Sequence, residues 1–154
     1  WLMDQYEKLV IPRFILHEAV AKEVPANRYF GESSVGGTRI VSGYKKILEI
    51  IESEGLARNY NLYVFQGTDG EDFDDGRLAI LEVKKILGYV NRMGVSVLKH
   101  PYHIDRGIES EFEKYIKKAD LLAKRDLFRM HIMPSYGVTM DKNEEAVKAL
   151  IAQD

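Results

Sequence analysis

Short apolar segments rich in β-branched residues alternate with longer amphipathic segments along this chain, and this alternation limits the fold more than any other feature. The strongest apolar segment runs from Asn61 to Gln66, and a segment with helical spacing of apolar residues runs from Thr38 to Glu54. Strands that alternate with helices pair in parallel through right-handed crossovers, with helices on both faces of the sheet. The sequence therefore predicts an α/β domain with a doubly wound, mostly parallel, Rossmann-like sheet.

The same patterns place the individual elements along the chain. Strands are predicted over residues 9–17, where the strand is entered after Pro12, and over residues 21–24, 61–66, 95–98 and 127–132. Helices are predicted over residues 1–8, 38–54, 77–91, 109–124 and 142–152. Gly55 is placed to end the second helix, and Asp141 is expected to cap the last. The apolar face expected for helix 77–91 consists of Leu78, Leu81, Ile86, Leu87 and Val90. Three tyrosines are predicted to face the core: Tyr44, Tyr63 and Tyr115.

The composition indicates one domain that works without nucleic acid or membrane. A length of 154 residues suits a single domain, and a net charge of −2 argues against a nucleic-acid partner. No apolar run is long enough to cross a bilayer, and the absence of cysteine fits a reducing compartment, so we expect the cytoplasm. The chain opens with Trp1 rather than methionine, which suggests a fragment of a longer protein.

Ligands of doubly wound folds bind beyond the carboxyl ends of the strands, which directs attention to loops 17–20, 31–38, 67–76 and 99–107. Loop 67–76 is rich in carboxylates: Asp69, Glu71, Asp72, Asp74 and Asp75. Carboxylate oxygens suit Mg²⁺ or Mn²⁺, although a solvated acidic turn that caps the next helix would have the same composition.

The remaining polar residues give weaker signals. The Gly36-Gly37 pair beside Ser33, Ser34 and Thr38 could approach a phosphate or simply begin a helix, and no lysine follows it as a P-loop requires. His100 and His103 flank a proline and are expected to be loop histidines off any helix, and His131 is expected to be structural. No nucleophile elbow or catalytic triad is visible, so no catalytic residue is assigned.

Three segments together resemble the YeaH/YhbH family of prokaryotic proteins. They are residues 14–24, the Gly36-Gly37-Thr38 run and residues 60–72. The C-terminal half of these proteins is similar to a von Willebrand factor A domain, and the resemblance covers this chain as one partial domain over residues 1–154.

The resemblance implies a metal-ion-dependent adhesion site. Its threonine corresponds to Thr38 and its aspartate to Asp69. Accessory roles are expected for four further residues: Ser34, Glu71, Asp72 and His17. The Asp-x-Ser-x-Ser segment of such sites occurs nowhere in this chain, and His17-Glu18-Ala19 stands where relatives often have His-His-Thr. We therefore expect Mg²⁺ or Mn²⁺ in the intact domain, and weak or no metal binding by this chain.

The resemblance also implies that the first strand and most of the first helix are missing from this chain. That strand is central in an A-type sheet, so its loss would leave two sheet halves with unpaired backbone groups. The halves could close up, a strand could come from another chain, or further residues could precede Trp1. Strand exchange or homodimerisation through this edge is one expectation.

The function implied by the resemblance is recognition of a protein partner at the loop face rather than catalysis. Relatives tend to be encoded near a PrkA-type serine kinase and a SpoVR-type protein, which by analogy suggests stress or starvation signalling. The alternative is a Mg²⁺- or Mn²⁺-dependent phosphoryl-transfer or hydrolytic enzyme that uses acidic loop 67–76.

Overall fold

The computed structural model of the chain describes residues 6–17, 19–31, 39–72 and 76–151. The strands are β1 (Phe14–Leu16), β2 (Lys22–Val24), β3 (Tyr63–Thr68), β4 (Arg92–Lys99) and β5 (Phe128–Pro134). The helices are α1 (Ala26–Gly31), α2 (Ile40–Glu54), α3 (Arg77–Ile86), α4 (Pro101–Asp105), α5 (Glu111–Lys118) and α6 (Met140–Ile151). Short 3₁₀ turns cover Leu56–Arg58 and Leu121–Ala123.

Two separate sheets form within the described residues. Strands β3, β4 and β5 make a parallel sheet in that order, with Phe65 opposite Gly94 and Gly94 opposite Arg129. Strands β1 and β2 make an antiparallel hairpin in which Ile15 lies opposite Glu23. The predicted α/β class and the parallel pairing of the three later strands are confirmed.

The main core lies on one face of the parallel sheet, beneath helices α2, α3 and α5. Its fully buried strand residues include Met93, Val95 and Val97, which alternate along β4 and therefore point to the same face of the sheet. The helices contribute Ile40, Tyr44, Leu48, Ile51, Ala79, Val83, Ile86, Phe112 and Ile116. Burial of this many large apolar side chains, each worth about 1.5–3 kcal/mol, is the dominant favourable term for the fold.

Helix α6 covers the opposite face of strands β4 and β5. Its buried residues are Ala146 and Leu150. A Cβ added to Gly94 would lie 2.9 Å from the Leu150 Cβ and 3.1 Å from the Phe65 Cδ1, so this helix can approach the sheet only because residue 94 has no side chain. The parallel sheet is therefore flanked by helices on both faces, a layering compatible with a Rossmann-like fold.

Helix α2 lies against strands of both sheets, and its contacts show the directions of β1 and β3. Arg13, which precedes β1, forms an ion pair with Glu54 at the end of α2, whereas a Cβ on Gly43 near its start would lie 3.1 Å from the His17 Cβ. The Tyr44 hydroxyl donates to Gln66 near the end of β3 at 2.6 Å. Both strands thus run antiparallel to α2, and β1 and β3 run parallel to each other.

The ends of the long helices follow the sequence signals in part. Gly55 adopts a left-handed φ of 62° and ends α2, as predicted. The prediction that Asp141 caps the last helix is wrong, because α6 begins at Met140 and Asp141 lies in its first turn. Helices α1 and α4 were not predicted, because a helix of one or two turns leaves almost no periodic signal.

Several burial predictions were also wrong. The strand predicted to be entered after Pro12 begins at Phe14, but its three residues are only partly buried, and the preceding Leu9 and Ile11 are exposed. Leu78 and Leu81 are exposed because the buried stripe of α3 runs through Ala79, Val83 and Ile86. Helix α3 has two adjacent apolar stripes, and the one that packs against α2 is the stripe of Ala79, Val83 and Ile86.

Tyr63 does not pack in the core as predicted. It is 56% exposed, and Phe65 two residues later is 41% exposed on the same face of β3. In contrast, Tyr44 and Tyr115 are buried. Predicted helix 1–8 falls largely outside the described residues, which show only a turn over residues 6–9. Within the described ranges, no helix is both long and apolar enough to cross a bilayer.

Candidate functional site at the carboxyl ends of the strands

The described residues of three predicted site loops, 17–20, 67–76 and 99–107, lie at one edge of the sheet structure, where β1, β3 and β4 end. Asp69 directly follows β3, His17 follows β1, and His100 follows β4. The His17 ring lies close enough to the backbone of Gly67 to influence the pKa of the ring, so the carboxyl ends of β1 and β3 lie near each other. Parallel strands always bring their carboxyl ends to one edge, which is where such sheets bind ligands.

Asp69 begins the acidic loop with a local turn. One of its carboxylate oxygens accepts from the Glu71 N–H at 3.0 Å, and the Thr68 hydroxyl accepts from the Gly70 N–H at 3.1 Å. The second Asp69 oxygen has no hydrogen bond within the described residues. Glu71 is exposed. Asp69 therefore presents an oxygen at the edge of the sheet on a backbone that its own side chain stabilises.

Asp72 is held between two helices. Its Oδ1 accepts from the Ile40 N–H at the start of α2 at 3.4 Å, and its Oδ2 accepts from the Tyr115 hydroxyl of α5 at 3.2 Å. The positive end of the α2 dipole stabilises the negative charge of Asp72. Burial, followed by the charge of Asp72, raises the pKa of Tyr44 well above its usual range, and the hydrogen bond to Gln66 opposes this shift. Asp72 therefore connects the acidic loop to helices α2 and α5 by hydrogen bonds.

Helix α5 holds the acidic loop from the other side. The Phe112 N–H donates to the Gly70 carbonyl at 2.9 Å, and a Cβ on Gly70 would lie 2.4 Å from the Ser110 Oγ. Gly70 also has a left-handed φ of 83°. A Cβ on Gly76 would lie 2.2 Å from the Tyr115 ring. Both glycines let the loop lie flush against α5, which no other residue would permit without movement.

A buried ion pair secures the start of α5. The Lys99 Nζ donates to the Glu113 Oε2 at 2.7 Å, and these side chains are only 6% and 2% exposed. Ser110 and Glu113 form a reciprocal capping box at the same point. Burial works to raise the pKa of Glu113, but hydrogen bonds from Lys99 and Ser110 outweigh it and lower the pKa. The carboxylate is thus held ionised in the interior.

His17 lies in the space between the two sheets. Burial lowers its pKa, and this effect is opposed by the backbone of Gly67 and by the charges of Asp69 and Asp72. Its Nδ1 is buried without a hydrogen-bond partner in the described part of the chain. The structure thus brings His17 close to the acidic loop, where sequence reasoning placed it only by resemblance.

The predicted metal ligands are only partly described. Thr38 and Ser34 lie outside the described residues, so their position relative to Asp69 stays a prediction. Within the described ranges, no three histidine, aspartate or glutamate side chains are arranged to hold a metal ion. Asp69 supplies a suitable oxygen, but the described residues do not by themselves fit a complete cation site.

The two histidines that were predicted to lie in a loop are found at the start of a short helix and within it. His100 is the N-cap of α4 and its Nδ1 accepts from the Tyr102 N–H at 3.2 Å, while His103 lies within the helix. The prediction that this pair lies off any helix is therefore wrong for His103, because Pro101 at the first helical position begins a helix instead of preventing one. His131 lies on β5, with Nδ1 buried and without a partner in the described part of the chain.

Sequence reasoning missed the buried cluster of Lys99, Ser110 and Glu113. The Ser-x-x-Glu spacing of a capping box was readable at Ser110 and Glu113. Nothing in the sequence indicated that Lys99, the last residue of an apolar strand, would meet them in the interior.

Comparison with known proteins identifies the family. Residues 1–134 match the family described as "Protein of unknown function (DUF444)". A "UPF0229 protein" of Ruminiclostridium cellulolyticum is 33% identical over 131 residues, which cover 84% of this chain. This chain belongs to that family. The predicted resemblance to YeaH/YhbH proteins is confirmed, since these are the UPF0229 proteins.

Other relatives of this UPF0229 chain show the same relation. "UPF0229 protein" of Bacillus anthracis is 32% identical over 147 residues, covering 88% of this chain and 35% of the relative. A relative from Oceanobacillus iheyensis is 30% identical over 131 residues, covering 80% of this chain and 32% of its own length. The chain thus spans about a third of the length of the curated relatives that it matches. No solved structure matches it.

Proposed function

We propose that this chain is part of a protein-binding domain of the von Willebrand factor A type. Thr38 and Asp69 would contribute to a divalent-cation site that residues elsewhere in the longer protein complete. The observation that carries this proposal is the arrangement of β1 and β3, which run parallel to each other with their carboxyl ends near each other at His17 and Gly67.

The pairing of the two sheets supports an additional strand between them. Each of β1 and β3 pairs on one side only within the described residues, and helix α2 contacts β1 and reaches β3 through the hydrogen bond from Tyr44 to Gln66. A strand parallel to both would join the sheets into one, and its carboxyl end would lie beside Asp69. Relatives about three times the length of this chain have ample sequence to supply it.

The chemistry of Asp69 supports an oxygen-seeking cation. One carboxylate oxygen is engaged by Glu71 and the other makes no hydrogen bond within the described ranges. A carboxylate and a threonine hydroxyl are ligands that suit Mg²⁺ or Mn²⁺. When bound, the cation would supply a charge that attracts a carboxylate of the partner.

The proposed setting of this binding activity rests on the composition and on the resemblance. We place the protein in the cytoplasm, because the chain has no cysteine. A PrkA-type kinase or a SpoVR-type protein is the first partner to test, with stress or starvation signalling as the process.

Calorimetric titration of Mg²⁺ and Mn²⁺ tests the proposal. The titration is made into this chain and into a version extended upstream along the longer protein. Each is compared with its Asp69→Ala variant and with the control Asp126→Ala, which removes an exposed aspartate at the opposite end of the strands.

We expect only the extended version to bind, and Asp69→Ala, unlike Asp126→Ala, to abolish binding. If neither version binds, the cation site is wrong. If both bind equally and a Mg²⁺-dependent phosphatase or nucleotidase activity is lost in Asp69→Ala, the enzymatic alternative replaces this proposal.

A further inference from the structure

We infer that a second contact surface lies beside the acidic loop and that it binds an acidic segment of the partner protein. The surface, here termed the basic–aromatic patch, consists of His100, Tyr102, His103, Arg106 and Tyr136. This inference rests on the proposed function for the existence of a protein partner, but its residues and its chemistry are separate from Thr38 and Asp69.

The basic–aromatic patch occupies the carboxyl ends of β4 and β5. The Ser135 N–H donates to the Lys99 carbonyl at 2.8 Å, which holds the ends of the two strands at the same level. Asp69 ends the neighbouring strand β3, so the patch and the acidic loop share one edge of the sheet. Neighbouring strands lie about 4.8 Å apart, so a single extended peptide could reach both.

The aromatic rings of the patch pack against one another. The His100 ring lies 5.3 Å from the Tyr136 ring in an edge-on arrangement and 6.1 Å from the His103 ring. The Tyr136 hydroxyl lies 3.4 Å from the His100 Nε2. Tyr136 is nevertheless 57% exposed. Rigid, exposed aromatic side chains lose little entropy on binding and are enriched where protein partners bind tightly.

The charge of the patch selects an anionic partner. The Arg106 guanidinium lies 4.5 Å from the centre of the Tyr102 ring and makes no ion pair within the described residues. His100 and His103 lie on the same patch as Arg106. On its own segment the acidic groups are Asp105, which is exposed, and Glu109, whose carboxylate pairs with Lys117, while Asp69 and Glu71 lie at the end of the neighbouring strand β3. An arginine stacked on a tyrosine keeps its donors directed outward for a carboxylate.

An acidic peptide fits this edge better than a nucleic acid. Asp69, Glu71 and Asp72 lie at the end of the adjacent strand and would repel a continuous phosphate backbone. A peptide can instead place a carboxylate on Arg106 and apolar side chains on the exposed Tyr102 and Tyr136.

Peptide titration in EDTA tests the inference without any bound cation. The ligand is a fluorescein-labelled hexapeptide, Glu-Phe-Glu-Glu-Phe-Glu, compared with its glutamine counterpart and with a single-stranded oligothymidine. The variants are Arg106→Gln and the control Arg58→Gln, which removes an exposed arginine at the amino ends of the strands. Fluorescence anisotropy gives the affinity, and ¹⁵N chemical-shift changes locate the site.

We expect the glutamate peptide to bind and to shift the amides of His100, His103 and Tyr136. Arg106→Gln should weaken binding about fivefold or more, and Arg58→Gln should leave it unchanged. Equal weakening by both variants, equal binding of the glutamine peptide, or tighter binding of the oligothymidine would overturn the inference. The cation titration on Asp69 and the peptide titration on Arg106 can each fail while the other succeeds.

Discussion

At the scale of single residues, Gly70 connects the acidic loop to the interior. Its carbonyl accepts from Phe112, and its Cα lies against the Ser110 hydroxyl, which in turn caps α5 and contacts Glu113. The position of Asp69 is thus determined by the next residue, Gly70, whose packing leaves no room for a side chain.

Substituting Gly70 by alanine should destabilise the protein by more than its backbone strain alone. A left-handed φ costs alanine roughly 1–2 kcal/mol, and the added Cβ would also displace the Ser110 Oγ, which lies only 2.4 Å from it. Gly107→Ala is the matched control, since Gly107 has a φ of 63° but no atom within 4 Å of the added Cβ. Urea denaturation measures both free energies of unfolding, and equal losses would contradict the packing shown at Gly70.

The pH dependence of stability should report the ionised Glu113. The lowered pKa of its folded state means that the carboxylate stabilises the fold above the unfolded pKa of about 4.3, and that this stability disappears as the pH falls through the folded value. Glu113→Gln should cost about 1.5–3 kcal/mol at pH 7. The difference between the two proteins should shrink below about pH 4. A difference that stays constant in urea denaturation from pH 3 to pH 7 would refute this account.

Single residues also show where sequence reasoning succeeds and where it fails. Gly55 could be placed at the end of α2 because helix termination is a local property. Asp69 could be placed at the end of a strand for the same reason. Lys99 could not be assigned to a buried ion pair, because its partner Glu113 lies on another element and only tertiary packing brings them together.

At the scale of elements, the hairpin of β1 and β2 is the least strongly stabilised part of the sheet structure. Each strand has three residues, and the β1 residues are only partly buried. Arg13 joins the hairpin to helix α2 by pairing with both Glu23 and Glu54. The β-branched, apolar composition of residues 9–17 overestimated the burial of this segment, because Leu9 and Ile11 are exposed and β1 itself is only partly buried.

Hydrogen exchange should reveal this difference between elements. Backbone amides of the hairpin should exchange faster than those of the central strand β4, and Arg13→Gln should accelerate hairpin exchange by about two- to fivefold without affecting β4. Lys114→Gln removes a comparable surface ion pair on α5 and serves as the control. Acceleration of the hairpin by Lys114→Gln would show that the effect does not depend on Arg13.

At the scale of the whole molecule, the outer edge of β3 is open. It pairs with no strand among the described residues, it contains no charged residue or proline, and it exposes Tyr63 and Phe65. Natural edge strands are usually protected by charges, prolines or bulges, because an unprotected edge can pair with another chain. The described residues form two separate sheets, and an additional strand between β1 and β3 stays a proposal.

Self-association of the chain should therefore depend on this edge. Tyr63→Lys should increase the monomer fraction in analytical ultracentrifugation over a concentration series, because a lysine on the strand opposes pairing with a second copy. Tyr60→Lys is the control, since Tyr60 is similarly exposed but lies before the strand begins. A purely monomeric wild-type chain, or an equal effect of both variants, would exclude pairing through β3.

The close approach of α6 to the sheet at Gly94 has a consequence for how these positions can vary in evolution. Gly94, Leu150 and Phe65 share one volume, since a methyl group at position 94 would lie about 3 Å from both other side chains. A relative with alanine at the first position should carry a smaller residue at one of the other two. We therefore expect the three positions, from two strands and the last helix, to change together among relatives.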